Sequence, residues 1–277
     1  MQLRRLRAAD LPAAHALTAS FGWPYRLEDW TLMAELGEGI VAEENGALIG
    51  TASAWRFGTD RARIGLIGVA DAHRDSGIDY QIVAELIAGL GERAIELVAT
   101  KAGTRLYRRL GFEPDGLVRE HQGAAFATRL VQLPHGVRLR PIGRSDADPL
   151  VALDRAASGA DRGTILHAIL RTALGVVLDH ERTLIGFALM RRFGLGHVIG
   201  PVVAPDPASA RALISHFLSA NPGQFMRIDA PEEVELSPWL DELGLVEVGT
   251  VRRMVRGAPP SPAGPVRGFA LICQAFG

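Results

Sequence analysis

Cysteine is almost missing from these 277 residues: Cys273 stands alone, which excludes an intrachain disulfide and a cysteine-built zinc site. The eight histidines fall at no metal-ligand spacing such as H-x-x-x-H, so no metal is expected. An excess of one charge is lacking too. Lys and Arg number 30 against 31 Asp and Glu, for a formal net charge of −1, and no long basic run appears. A nucleic-acid surface is therefore not expected. No apolar stretch approaches membrane-spanning length, which argues against a membrane partner. The opening MQLRRLRAADLPAAH is basic with no apolar segment behind it, so a secretory signal is not expected and cytoplasm is the default. What is there is a globular composition, 48% hydrophobic and 22% charged, in a chain long enough for one large domain or two small ones.

The most informative stretch runs from Arg63 to Phe112. Ile64 to Val69 is too rich in β-branched residues to prefer a helix and reads as a strand. The polar loop Arg74-Asp75-Ser76-Gly77 follows. Beyond it Ile82, Val83, Leu86, Ile87 and Leu90 share one face of an amphipathic helix. A strand that feeds a glycine-bearing turn and a helix N-terminus is an anion site. Its first-turn N–H groups lack partners, and the helix dipole adds positive potential. One strand and one helix follow, Ala94 to Ala99 and Ala102 to Phe112, the latter closed by Gly111.

Together these pieces resemble the GNAT superfamily of N-acetyltransferases. The family's loop pattern is Arg/Gln-x-x-Gly-x-Gly/Ala; here Arg74 and Gly77 match and Asp79 departs. LYRRLGF resembles the family's second signature, whose tyrosine is the general acid, here Tyr107. The resemblance implies that acetyl-CoA is the co-substrate and an amine the acceptor. It also implies that backbone amides of Ile67, Gly68 and Val69 hold the acetyl group. Arg74 and the amides of Asp75, Ser76, Gly77, Ile78 and Asp79 would take the pyrophosphate. The structural alternative for Tyr107 is a core aromatic, in a stripe with Leu106 and Leu110. Asp79 supports a second reading of the whole chain, a catalytically weakened acyl-CoA-binding or structural module. A Rossmann-type nucleotide binder fails on pattern, because no G-x-G-x-x-G follows the first strand.

The chain also repeats itself. LIGTASAWRFG (Leu48 to Gly58) matches LIGFALMRRFG (Leu184 to Gly194), and the same order of strands and helices follows each. A period of half the chain is too long for a solenoid and indicates duplication. The expected fold class is α+β (mixed α/β). It comprises two tandem GNAT-like domains, residues 1–133 and 138–277, each a mixed, mostly antiparallel sheet flanked by helices. In the second copy the loop counterpart Val203 to Ala208 has two prolines and neither glycine nor a basic residue. Prolines remove donors that a phosphate cradle needs, so only the first copy is expected to hold the cofactor.

Other candidates carry two readings each. Trp23, Tyr25 and Trp30 line an acceptor pocket or plug a core. SGADRG (Ser158 to Gly163) contacts the acceptor or is a helix turn with an Asp161–Arg162 surface pair. Asp71, His73 and Glu120 are candidate bases or solvated residues, with water an equal contender. Arg108 and Arg109 face solvent or reach a coenzyme A phosphate. FGWPYRLEDW (Phe21 to Trp30) also resembles the early loop of tandem GNAT proteins. A monomer and a homodimer are both compatible with these features. Val118 to Glu120 and Ala125 to Leu133 read as further strands, and the last strand is expected around Phe269 to Gln274.

Overall fold

The structure, a computed structural model, describes residues 1–128 and 131–277. The first copy begins with β1 (Gln2–Arg5), α1 (Leu11–Ser20), α2 (Leu27–Leu36), β2 (Glu38–Glu44) and β3 (Ala47–Phe57). It continues through β4 (Arg61–Val69), α3 (Ile78–Leu90), β5 (Ala94–Ala99), α4 (Thr104–Arg109) and β6 (Glu113–Ala124). The second copy gives β7 (Val137–Pro141), α5 (Ala147–Ser158), α6 (Gly163–Leu170), β8 (Leu174–His180), β9 (Thr183–Phe193) and β10 (Gly196–Ala204). Then come α7 (Pro207–Ala220), β11 (Phe225–Pro231), α8 (Ser237–Glu242), β12 (Val246–Arg256) and β13 (Arg267–Ala270). The mixed α/β fold with mostly antiparallel pairing agrees with the sequence expectation.

Several boundaries differ from that expectation. β6 is a single long strand, and residues 125–128 carry no strand. Arg129 and Leu130, part of the expected strand Ala125 to Leu133, lie outside the described residues. The expected helix from Ala102 to Phe112 is shortened to Thr104–Arg109, between Gly103 and Gly111. The final strand, Arg267–Ala270, starts two residues before the expected Phe269 and ends four before Gln274.

Two compact units form. One holds Met1–Pro114 with Met254–Pro259 and Phe276; the other holds Asp115–Arg253, Pro260–Ala275 and Gly277. Each unit thus takes a strand segment that the sequence order assigns to the other copy. In the first, α3 lays Ile78, Ile82, Val83, Leu86 and Leu90 on Ala52, Ala54, Ala62, Ile64, Ile95 and Leu97, with Met254 in the same core. Full burial of each large side chain contributes roughly 1.5–3 kcal/mol. In the second, α7 lays Leu213, Ile214, Phe217 and Leu218 on Val176, Leu178, Ala188, Met190, Ile199, Met226 and Ile228.

The strands of the two units are arranged alike. β3 lies between β2 and β4, and β9 between β8 and β10, all antiparallel, so the matching runs occupy equivalent central strands. β4–β5 and β10–β11 are parallel pairs. An ion network recurs as well. Arg4 pairs with Asp10 and Glu43; Arg140 pairs with Asp146 and Asp179, every member 136 positions after its counterpart. Asp10 also accepts the Arg7 amide, and Asp146 that of Gly143. A network of this kind preserved in both copies is a structural counterpart of the sequence repeat.

Candidate active site

β4 is the strand on which the site turns. Its pairing with β5 is confined to Arg61↔Ala94, Ala62↔Ile95 and Arg63↔Glu96, after which the two strands part. The cause lies one strand away. The register with β3 shifts between Thr51 and Ser53, and at that bulge Leu66 adopts φ 54°. Bulges bend and twist the strand that carries them, and a leucine in left-handed backbone marks local strain held by its surroundings. The end of β4 is thereby turned out of the β5 ladder.

Alternation along β4 decides which amides face the opening. The Ala70 amide donates to the Ile49 carbonyl at 2.8 Å, so the amides of Gly68 and Ala70 face β3. Those of Ile67 and Val69 face the split. Gly68 has another part. A Cβ there would stand 2.4 Å from Phe21 Cε2, so only glycine admits the Phe21 ring against the strand.

The loop beyond β4 ends at Gly77, whose φ of +80° favours glycine and which begins α3 without a side-chain cap. Apart from its chain neighbours and the helix's own backbone, nothing lies within 4 Å of where its Cβ would be. The first intrahelical bond runs from the Gln81 amide to the Gly77 carbonyl, leaving the preceding amides of this turn without helical partners. Asp79 alters that supply, since its Oδ1 accepts the Tyr80 amide at 2.8 Å. Ile78 is buried, its side chain in the core. Asp75 adopts φ 61°, and the Ser76 hydroxyl donates to the His73 carbonyl at 2.6 Å. Arg74 is exposed and ion-paired with Asp71 at 2.7 Å. The Arg109 guanidinium lies over the Tyr80 ring, 5.2 Å from its centroid.

Tyr107 is buried, edge-to-face with Phe112 at 6.1 Å. Burial pushes its phenol well above the usual tyrosine range, and the Asp79 carboxylate adds to the rise. The two departures from an ordinary surface, Asp79 and Tyr107, therefore share one electrostatic environment.

The remaining candidates separate cleanly. Trp30 is fully buried, its indole N–H donating to Thr18 Oγ1 at 3.1 Å, which makes it a core plug. Trp23 and Tyr25 are partly exposed and form an edge-to-face chain with Phe21, at centroid distances of 5.6 and 6.5 Å. Arg162 does not make a surface pair with Asp161. It is buried and bidentate to Asp154, at 2.9 and 2.6 Å, since a buried guanidinium needs a planar carboxylate partner. Of the candidate bases, Asp71 holds Arg74, His73 Nε2 meets Glu44 at 3.0 Å, and Glu120 accepts from Gln274 at 2.7 Å. His73 holds the Glu44 carboxyl below the usual range.

The second unit shows what a closed version looks like. β10 pairs with β11 only at His197↔Met226 and Val198↔Arg227. The strand that follows is taken by β13, through Val202↔Ala270, Val203↔Gly268 and Ala204↔Arg267. The Leu271 amide also donates to the Asp229 carbonyl of β11 at 2.9 Å. Val202, Val203 and Ala204 are accordingly buried, whereas Ile67 to Ala70 are partly exposed. The α7 N-terminus is capped by its own Asp206, which accepts the Ser209 amide at 2.8 Å, and Pro207 removes a further donor. Sequence reasoning found the prolines and expected a last strand around Phe269 to Gln274 after the Pro-rich GAPPSPAGPV, but not that this strand pairs with β10 and fills the split.

No group of three or more His, Cys, Asp or Glu suited to a metal occurs among the described residues. Nor is any described helix long and apolar enough to cross a membrane.

Comparison with known proteins gives the same picture. Two family models described as acetyltransferase (GNAT) domain match, one over residues 35–114 and one over residues 150–273. The uncharacterized N-acetyltransferase YitH of Bacillus subtilis (strain 168) is 28% identical over 88% of this chain and 87% of its own length. A solved acetyltransferase-type protein from Pyrococcus horikoshii superposes with a TM-score of 0.79 at 21% identity, covering 100% of this chain and 95% of that one. A GCN5-related N-acetyltransferase from Sphaerobacter thermophilus gives 0.67 at 13% identity, covering 95% and 98%. Two GNAT domains in one chain, on a fold whose first β4–β5 pair is split and whose second is filled, make this protein a tandem member of the GNAT superfamily of N-acetyltransferases.

Proposed function

We propose that the protein transfers an acetyl group from acetyl-CoA to the amine of a small-molecule acceptor, using the first copy alone. The carrying observation is the contrast between the two splits: β4–β5 opens onto partly exposed Ile67–Ala70 and the uncapped Gly77 turn, while β13 fills its counterpart. Domains of residues 1–133 and 138–277 remain the proposed units of duplication, the second serving as scaffold.

Bound acetyl-CoA supplies a thioester carbonyl. The outward amides of Ile67 and Val69 hold that carbonyl oxygen and stabilise the charge that gathers on it. The Ile78 and Asp79 amides, with the α3 dipole, take a pyrophosphate, and Arg74 joins once it leaves Asp71. Trp23 and Tyr25 bound the acceptor. As the nitrogen–carbon bond forms and the carbon–sulfur bond breaks, Tyr107 gives its proton to the departing sulfur. The amine proton passes to water.

One observation favours the second reading, a weakened acyl-CoA binder: Asp79 occupies the Tyr80 amide and raises the Tyr107 phenol. A thermal shift with acetyl-CoA, CoA and desulfo-CoA tests both. A ligand bound only by the folded state raises the melting temperature. No shift with any of the three would refute a working cofactor site.

A further inference from the structure

The loop that leads into α3 is tied back to the β2–β3 hairpin. The Ala70 amide donates to the Ile49 carbonyl of β3 at 2.8 Å, and the His73 amide to the Ala70 carbonyl at 2.8 Å. The His73 carbonyl then accepts the Ser76 hydroxyl at 2.6 Å and the Ser76 amide at 3.4 Å. Gly77 and the first amides of α3 come directly after. The His73 side chain adds a second anchor: its Nε2 lies 3.0 Å from Oε2 of Glu44, the last residue of β2. A carboxylate only accepts, and the His73 bond holds that of Glu44 below its usual range, so Nε2 donates. Nδ1 is buried and has no hydrogen-bond partner, which leaves the bond to Glu44 alone to orient the ring. The ion pair of Arg74 with Asp71 stays inside the loop. Among the described residues, His73–Glu44 is thus the one side-chain bond from residues 71–77 to another element.

The second copy supplies a comparison inside the same chain. Glu44 stands opposite Ala47 at the end of the β2–β3 hairpin, and His180 stands opposite Thr183 at the end of the β8–β9 hairpin. One residue earlier the acidic character is kept, as Glu43 and Asp179 in the two ion networks. At the Glu44 position it is lost. The loop is lost as well: β10 ends at Ala204 and α7 begins at Pro207, which leaves only Pro205 and Asp206 between them. The carboxylate and its histidine therefore occur together only where β4 and β5 part and the helix begins without a side-chain cap. A pair needed merely to close the hairpin would serve both copies.

We infer that Glu44 and His73 are positioning residues for the cofactor, fixing the loop so that the amides that begin α3 face a pyrophosphate before it arrives. A loop already held in its bound conformation loses less freedom on binding. The inference rests on the acetyl-CoA reading, and the test separates the two. Calorimetric titration of the full chain with acetyl-CoA compares the parent with His73→Phe, Glu44→Ala and the double variant. Each single change is expected to weaken binding about tenfold, and the double no further, because either one breaks the same bond. His73→Gln, whose amide nitrogen takes the place of Nε2, is expected to keep the parental affinity. Amide hydrogen exchange of the free protein should quicken over residues 74–77 in both single variants and stay parental over Ile82–Leu90. Parental affinity in both single variants, losses that add in the double, or a loss in His73→Gln equal to that in His73→Phe would overturn the inference and leave the cofactor site standing. So would faster exchange along all of α3, which marks general loosening. A parent that binds no acetyl-CoA would refute the cofactor site and this role with it.

Discussion

Replacing Asp79 by glycine should tighten acetyl-CoA binding while weakening the free protein slightly. In the structure the carboxylate accepts the Tyr80 amide at 2.8 Å, in the first turn of α3. An acidic side chain so placed stabilises a helix by roughly 0.5–2 kcal/mol through its hydrogen bond and the dipole. A pyrophosphate on the adjoining Ile78 and Asp79 amides draws on the same helix N-terminus, so binding turns the carboxylate away and forfeits that contribution. Two unit charges about 4 Å apart also repel by on the order of 4 kcal/mol at an effective dielectric near 20, less where solvent screens them. Removing the carboxylate therefore gains at least about 1.4 kcal/mol, a tenfold fall in Kd. The free protein loses the cap and takes on a glycine in a helix, together about 1–2 kcal/mol. Calorimetry of parent, Asp79→Gly and Asp79→Asn, with thermal melts of each, reads all three quantities. Asp79→Asn keeps an oxygen acceptor and drops the charge, so it separates repulsion from competition for the amide. If the glycine variant binds no more tightly than the parent, the side chain does not obstruct the site and the account is wrong.

Tyr107→Phe should fold normally, because the ring that packs on Phe112 is kept, and should lower turnover about 10²–10⁴-fold; near-parental turnover would leave Tyr107 a core residue. Acetyl-CoA should titrate to one equivalent per chain, since β13 fills the β10–β11 split; two equal sites by calorimetry would refute that closure. Asp10 and Asp146 are held below the usual carboxylate range by hydrogen bonds from Arg4 and Arg140. A depressed folded value means the unfolded chain binds protons first as pH falls. Stability is then present above the unfolded value and lost as pH drops through the folded one. Asp146→Asn should flatten the acid limb of a stability–pH profile, and an unchanged acid slope would show that the pair does not carry this linkage.

Much of this protein is determined by local pattern. The Asn45-Gly46 turn, both positions at positive φ, the α3 face, the Gly77 turn and the matched LIG runs are set by residues near one another in the chain. Backbone preference and side-chain periodicity act over that same short range. The duplication was legible for the same reason, because the copied residues keep their order. The tertiary structure decided what distance along the chain conceals. β13 closes the second split through hydrogen bonds to β10, more than sixty residues upstream. Arg162 finds Asp154 rather than its neighbour Asp161, because only Asp154 lies inside with it. Gly68 makes room for Phe21, and Leu66 takes a left-handed backbone to turn the end of β4 away from β5. None of these can be read from composition or spacing. Each depends on which surfaces meet after the chain has folded, and burial then fixes which polar groups must find partners.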